Sequence, residues 1–410
     1  MKLRRFAPTL AIAMAASLTL AACGDDNPTA EETPAADTAD DADADADTDA
    51  GADTDAGADT DTDTETQDSG AETQDAGGTD AAGAELSGSL AAAGASAQNA
   101  AMTSWISAYG EVQPDVQVTY DSVGSGAGVT SLAQGAVDFA GSDSYLDEER
   151  REAVQDYCGD EGAINLPVYV SPIAVAFNLE GVDSLNLNAE TIAKIFNQEI
   201  TEWNDPEIAE QNPDADLPEE RIVPVNRSDD SGTTDNFTKY LAAAAGDAWP
   251  HEPGQTWPVA GGEAGAQTAG VVSILSSTPG TIGYSDASAV EGMTLVNVGV
   301  GDDYVELSPE AASRVVEASP LADTGVEGDL AVDLDYATTE ADAYPIVLIS
   351  YHVVCKNYQD ADKANLVKDF ISYVASPEGQ DVAADGAGSA PISDGLREQV
   401  LGALDTVNGG

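Results

Sequence analysis

The sequence predicts an α/β fold divided between two lobes, on three observations. Past residue 85, short strand-like apolar runs alternate with segments of helical period. The 325 residues from 86 to 410 exceed what one hydrophobic core usually takes, so two domains are expected. The runs Val168 to Phe177 and Ile346 to Val354 are the most strand-like of all, each beside a proline and far apart in sequence. They suit paired crossovers, the chain leaving one lobe near Pro167 and returning near Pro345. Lobe I is then 86–168 plus 345–410, and lobe II is 169–344.

At the start of the chain, Lys2, Arg4 and Arg5 precede an apolar run from Ala7 to Leu20 and the small residues Ala21 and Ala22. A basic flank, a run too short to span a bilayer comfortably and small residues before a cut predict a signal peptide over 1–22. Leu20-Ala21-Ala22-Cys23 resembles the lipobox of bacterial lipoproteins, which implies cleavage before Cys23 and its acylation. That places the protein at the outer face of the cytoplasmic membrane or in the periplasm, held by lipid.

From Gly24 to Glu85 the chain is nearly all Ala, Asp, Glu, Thr and Gly, with 22 acidic residues among 62 and no Lys, Arg or aromatic residue. No core can form from that composition, so 23–85 reads as lipidated Cys23 followed by a disordered acidic tether. Its root-mean-square span is on the order of 45 Å, lengthened by charge repulsion. The irregular acidic spacing does not match a calcium loop.

The part that follows carries 53 acidic residues against 11 Lys and Arg. So acidic a surface excludes nucleic-acid binding, which needs a basic face. An anion site remains compatible with it, because salt screens distant charges while a desolvated site feels its own donors at contact range. Cys158 and Cys355 lie in an exported domain and are free to pair. A bridge closing so long a loop contributes on the order of 4 to 5 kcal/mol in the entropic model.

Along this part, Met102, Trp105, Ile106 and Tyr109 make a helical stripe, Val116, Val118 and Tyr120 alternate as a strand, and Val129, Leu132 and Ala133 fit a second helix. Val137 and Phe139 begin another strand, and Leu366, Phe370, Ile371 and Val374 mark a late helix. Several helix starts carry anion chemistry. Ser96 and the amide of Ala97 precede the first stripe, and Ser125 lies in the Gly-rich turn Gly124-Ser125-Gly126-Ala127-Gly128. That turn lacks the third glycine of a dinucleotide fingerprint, so no cofactor is expected. Gly141-Ser142-Asp143 follows the strand at Phe139 and offers an acceptor.

The fullest example is Arg227-Ser228-Asp229-Asp230-Ser231-Gly232-Thr233-Thr234, between a strand ending in Val225 and a helix carrying Phe237, Tyr240 and Leu241. Ser231, Gly232 and Thr233 present amides and hydroxyls at a positive helix end, and Arg227 adds a planar fork of donors. Asp229 accepts hydrogen bonds and donates none, so it favours an anion that still carries a proton, unless it merely caps the helix. An enzyme finds little support. No Gly-x-Ser-x-Gly elbow is present, and His251 and His352 lie in unrelated contexts without metal-ligand spacing.

In their order, Gly94-Ala95-Ser96, Gly124 to Val129, Val137 to Asp143 and Arg227 to Thr233 resemble the phosphate-binding proteins of bacterial high-affinity phosphate ABC transporters. The similarity extends to Ile192 to Phe196, Ile200-Thr201-Glu202-Trp203, Gly280 to Tyr284 and Tyr344-Pro345-Ile346. It implies a type II periplasmic-binding-protein fold, two α/β lobes closing over dehydrated phosphate, with transfer to a membrane permease, no enzymatic activity and a monomeric state. Carried over by motif, Ser96, Ala97 and Ser125 bind from one lobe and Asp143 accepts from the ligand. Arg227, Asp229, Ser231, Gly232 and Thr233 come from the other. Two departures stand out. Ala97 replaces an aromatic residue of some relatives, and Asp230 replaces the more usual Gly, adding charge near the loop.

Overall fold

Ala163–Asn178 forms a 16-residue strand because its side chains are apolar toward both faces and nearly all are buried. It is the fourth strand of a computed structural model that describes residues 86–410. The expected signal peptide, acylated Cys23 and acidic tether lie outside the described residues.

The elements before it are β1 (Gly88–Gly94), α1 (Asn99–Val112), β2 (Val116–Ser122), α2 (Ser125–Ala133), β3 (Phe139–Ser142) and α3 (Glu148–Cys158), with β4 as Ala163–Asn178. Next come β5 (Leu185–Leu187), α4 (Ala189–Phe196), α5 (Pro206–Gln211), β6 (Val223–Arg227), α6 (Gly232–Ala244), β7 (Glu263–Gly265), α7 (Gln267–Ser277) and β8 (Thr281–Asp286). The chain finishes with β9 (Thr294–Val300), β10 (Asp303–Val305), α8 (Pro309–Ala318), β11 (Val347–Cys355), β12 (Asn357–Tyr358), α9 (Ala361–Ala375), α10 (Pro377–Ala387), α11 (Asp394–Leu404) and β13 (Asn408–Gly409).

The main sheet runs β2-β1-β3-β11-β4-β8-β6-β7. Its two flanks repeat one logic: β1 pairs parallel with β2 and β3, and β6 pairs parallel with β7 and β8. The centre is antiparallel. β4 runs beside β11 from Ala163 to Pro172 and then beside β8 from Ile173 to Asn178. The change of partner thus falls at Pro172 and Ile173, whereas Pro167 borders the register shift at Ser350 and Tyr351. A proline supplies no N–H to the ladder, so both irregularities sit where a donor is missing.

Helix ends follow their local chemistry. Asp147, Asn188, Ser231, Ser308, Ser376 and Ser393 each accept an early amide of the helix they precede, and Pro309 and Pro377 occupy first-turn positions where no N–H is needed. Helix α1 buries Met102, Trp105 and Tyr109, while Ile106 is only partly buried against the same core. Trp105, Tyr109, Phe139 and Phe370 fill one side of the core and Phe177, Phe196, Trp203 and Phe237 the other, all in one continuous cluster. Cys158 at the end of α3 is joined to Cys355 at the end of β11 by a disulfide. Among the described residues, no helix is long and apolar enough to cross a membrane.

Gly94 cannot be replaced. Its φ is +153°, and a Cβ there would fall 2.0 Å from the carbonyl oxygen of Gly141. That close approach brings the ends of β1 and β3 together, and with them the helix start at Ser96 and the acceptor at Asp143.

Candidate functional site

Three helix starts converge where the two flanks of the sheet meet. Helix α2 opens after Gly124, whose φ of +95° aims the chain into the helix without a side-chain cap. Helix α6 opens at Gly232, with Ser231 as its cap: the Ser231 Oγ accepts from the Thr234 amide at 3.2 Å. The two ends nearly touch. A Cβ on Gly232 would lie 2.7 Å from both the Ser125 Oγ and the Asp143 Cβ, so glycine is what allows the approach.

Asp143 sits at the centre of this contact, 2% exposed. Its Oδ2 accepts from the Thr233 hydroxyl at 3.1 Å and its Oδ1 from the Ser350 hydroxyl at 2.8 Å. Its amide donates to the Ser125 Oγ at 3.2 Å, and its carbonyl accepts from the Asn236 amide group at 2.7 Å. No cation forms an ion pair with it within 4 Å among the described residues. Burial therefore pushes its carboxyl up to about 6, against the opposing pull of Ser350, Thr233 and the charge of Arg227.

Asp229 does not cap α6, whose cap is Ser231, but grips Arg227 by a fork: Nε donates to Oδ1 at 2.9 Å and Nη2 to Oδ2 at 2.6 Å. The Gln267 amide donates to Oδ1 as well, at 2.8 Å. Burial pushes the Asp229 carboxyl up, but the guanidinium and this amide outweigh it and hold the group below its usual range. Asp229 is an orienting partner for Arg227, and Asp143 is the carboxylate with an affinity for protons.

Arg227 itself is 3% exposed at the end of β6, its amide donating to the Tyr284 hydroxyl at 3.3 Å. The third helix start, at Ser96, is joined to the same group through α7. The Thr268 amide donates to the Ser96 Oγ at 3.1 Å, and the two hydroxyls lie 2.9 Å apart. Ala97 follows, buried, just before α1. Asp230 is exposed, and its carboxylate accepts from the Thr256 hydroxyl at 2.7 Å, so it lies outside the buried group around Asp143.

Ser125, Asp143, Gly232 and Thr233 are thus directly packed. Arg227 and Asp229 approach them at Gly124, where a Cβ would lie 2.5 Å from the Asp229 Oδ2 and 3.6 Å from the Arg227 Nη2. Gln267 and Thr268 tie Asp229 to Ser96, and Ser231 joins through the cap of α6. The turn glycines serve packing as well: a Cβ on Gly128 would lie 2.4 Å from the Cα of Gly94. Sequence reasoning missed Gln267, Thr268, Ser350 and Asn236, and it quoted Tyr284 without a role. Ser350 did leave a signal, a hydroxyl within an otherwise apolar run.

Both histidines pack against aromatic rings. His352 is fully buried against Phe139 and Phe370, its Nε2 is 3.2 Å from the Gln98 Oε1, and burial lowers it to about 3. His251 packs on Trp249, with its Nε2 2.9 Å from the Asn197 Oδ1.

A second buried carboxylate, Asp286 at the end of β8, also titrates near 6, chiefly because of burial and with the charge of Asp143 adding to it. Both groups start from an ordinary value of 3.8. Between about pH 4 and 6 the folded chain therefore binds more protons than the unfolded one, and ionising these groups costs stability as pH rises through 6. Ligand-free protein is expected to lose about 2 kcal/mol more between pH 5 and 7 than a double variant with Asp143→Asn and Asp286→Asn, as read by urea denaturation.

Comparison with known proteins places this arrangement. A model of the PBP superfamily domain matches residues 61–378. Phosphate-binding protein PstS 3 of Mycobacterium tuberculosis is 34% identical over 414 residues, covering 99% of this chain and 100% of that protein. PstS 2 of the same organism is 35% identical over 327 residues, covering 78% of this chain and 87% of that protein. Among solved structures, a high-affinity periplasmic phosphate-binding protein (PfluDING) bound with phosphate shares the fold, with a TM-score of 0.63 at 21% identity over 76% of this chain and 92% of that one. The two-flanked α/β sheet with its central antiparallel strands is accordingly a type II periplasmic binding fold, and the chain belongs to the PBP superfamily and, within it, to the PstS-type phosphate-binding proteins.

Proposed function

We propose that the protein is an extracytoplasmic receptor that binds inorganic phosphate in the cleft at Asp143 and passes it to an ABC transporter permease. The observation that carries this reading is the buried carboxylate of Asp143 between the starts of α2 and α6. An ionised Asp143 repels a fully deprotonated oxyanion and accepts the proton of HPO4²⁻ or H2PO4⁻. The helix starts and Arg227 supply the donors for the remaining oxygens, with Asp229 holding the guanidinium plane in place.

In this reading Ser96, Ala97 and Ser125 bind from lobe I and Arg227, Ser231, Gly232 and Thr233 from lobe II. Lobe I comprises 86–168 plus 345–410, lobe II comprises 169–344, and β4 and β11 are the crossovers. Cys23 is acylated, 23–85 is the tether, and the receptor works as a monomer at the outer membrane surface or in the periplasm. This reading assigns the protein no catalytic step: the hydroxyls of Ser125 and Ser231 serve as contacts to the ligand rather than as nucleophiles.

Calorimetry of the purified protein with phosphate checks the binding, and incubation with a chromogenic phosphate ester checks for turnover. Submicromolar phosphate binding without ester hydrolysis is expected. Phosphate binding at micromolar strength or weaker removes the receptor reading, and steady hydrolysis replaces it with an enzyme.

A further inference from the structure

We infer that Gln255 opposes shutting of the cleft in the ligand-free protein and so governs how fast phosphate leaves; the inference rests on the phosphate reading of the site. Gln255 lies in the segment after α6 and is 6% exposed. That segment braces the anion loop from outside. The Gln255 carbonyl accepts from the Ser231 amide at 3.0 Å, and the Thr256 hydroxyl donates to the Asp230 carboxylate at 2.7 Å.

The side chain behaves differently from the backbone. Neither Oε1 nor Nε2 of Gln255 has a hydrogen-bond partner among the described residues, although both are buried. The carboxamide is turned toward α2: a Cβ on Gly126 would fall 3.1 Å from the Gln255 Oε1 and 2.7 Å from the Asp230 Cβ. Gly126 belongs to the flank built on β1, and Gln255 and Asp230 to the flank built on β6. The same seam carries a backbone bond, from the Gly126 amide to the Asp230 carbonyl at 3.2 Å.

A polar group covered in this way loses water without gaining a partner, a cost present only while the two flanks are together. When the flanks part, water returns to the carboxamide. Contacts that close the seam, such as the bond at Gly126 and the Ser96–Thr268 pair, are therefore opposed by one that resists it. Such opposition leaves the ligand to supply the difference, which favours an empty receptor that stays open and a loaded one that can still release.

The test compares the full chain with Gln255→Leu and, as a second apolar replacement of similar length, Gln255→Met. Calorimetry and stopped-flow dissociation are run with inorganic phosphate, and thermal melting confirms that each variant folds. Both variants are expected to hold phosphate about 5- to 10-fold more tightly, with the gain in a slower off-rate and the on-rate within about twofold. Unchanged affinity in a folded variant overturns the inference. Weaker binding overturns it too, because the carboxamide would then be donating to the ligand. A full chain that binds no phosphate at all removes the receptor reading instead.

Discussion

With Asp143 replaced by Asn, phosphate is expected to bind about 10- to 100-fold more weakly and sulfate more tightly than in the parent protein, as read by calorimetry. The loss follows from one bond. A charge-assisted bond from the ligand's proton to a buried carboxylate becomes a neutral one, in a place too dry for water to substitute. The sulfate gain follows from the same change, because the repulsion that excludes a proton-free anion disappears. Asp229→Asn serves as the contrast. Its carboxylate is committed to Arg227 and the Gln267 amide, so its loss loosens the guanidinium and weakens both anions together. A narrowed gap between phosphate and sulfate in Asp229→Asn, and not in Asp143→Asn, would reverse the roles of the two residues.

Loss of the Cys158–Cys355 bridge is expected to cost about 4 to 5 kcal/mol of unfolding free energy, measured by urea denaturation of Cys158→Ser with Cys355→Ser beside the oxidised protein. The cysteines are 197 residues apart, so the unfolded chain is released from a very long loop. The bridge also ties the end of α3 to β11, which pairs with β3 and β4 at the centre of the sheet. A loss below about 1 kcal/mol would mean that the unfolded chain is already confined by other contacts.

Legibility in the sequence tracked burial and locality. The strands β4 and β11 stand out because both faces are covered, which leaves an unbroken apolar run. The stripe through Met102, Trp105 and Tyr109 was equally plain, since one face of α1 meets the core. The anion loop was visible because its donors are consecutive in the chain and open a helix.

What stayed hidden depends on contacts between distant segments. The composition of the loop cannot tell which carboxylate Arg227 takes, and its fork to Asp229 is a matter of side-chain geometry. Gln267 and Thr268 carry no anion motif, and their role arises because α7 starts beside Ser96 and Asp229. Ser350 reaches Asp143 across 207 residues. Asp230, the added charge near the loop, is held by Thr256 outside the buried cluster. In the turn after β2, Gly126 and Gly128 make room for Asp230 and Gly94, contacts that the local sequence does not announce.

The central claim is that a buried carboxylate reads the proton of the ligand, and paired titrations with phosphate and sulfate in one buffer at pH 7 test it most directly. The account predicts tight phosphate binding and sulfate binding weaker by about a thousandfold or more, a gap that shrinks in Asp143→Asn. Comparable affinities for the two anions in the parent protein, or a gap untouched by Asp143→Asn, would contradict it.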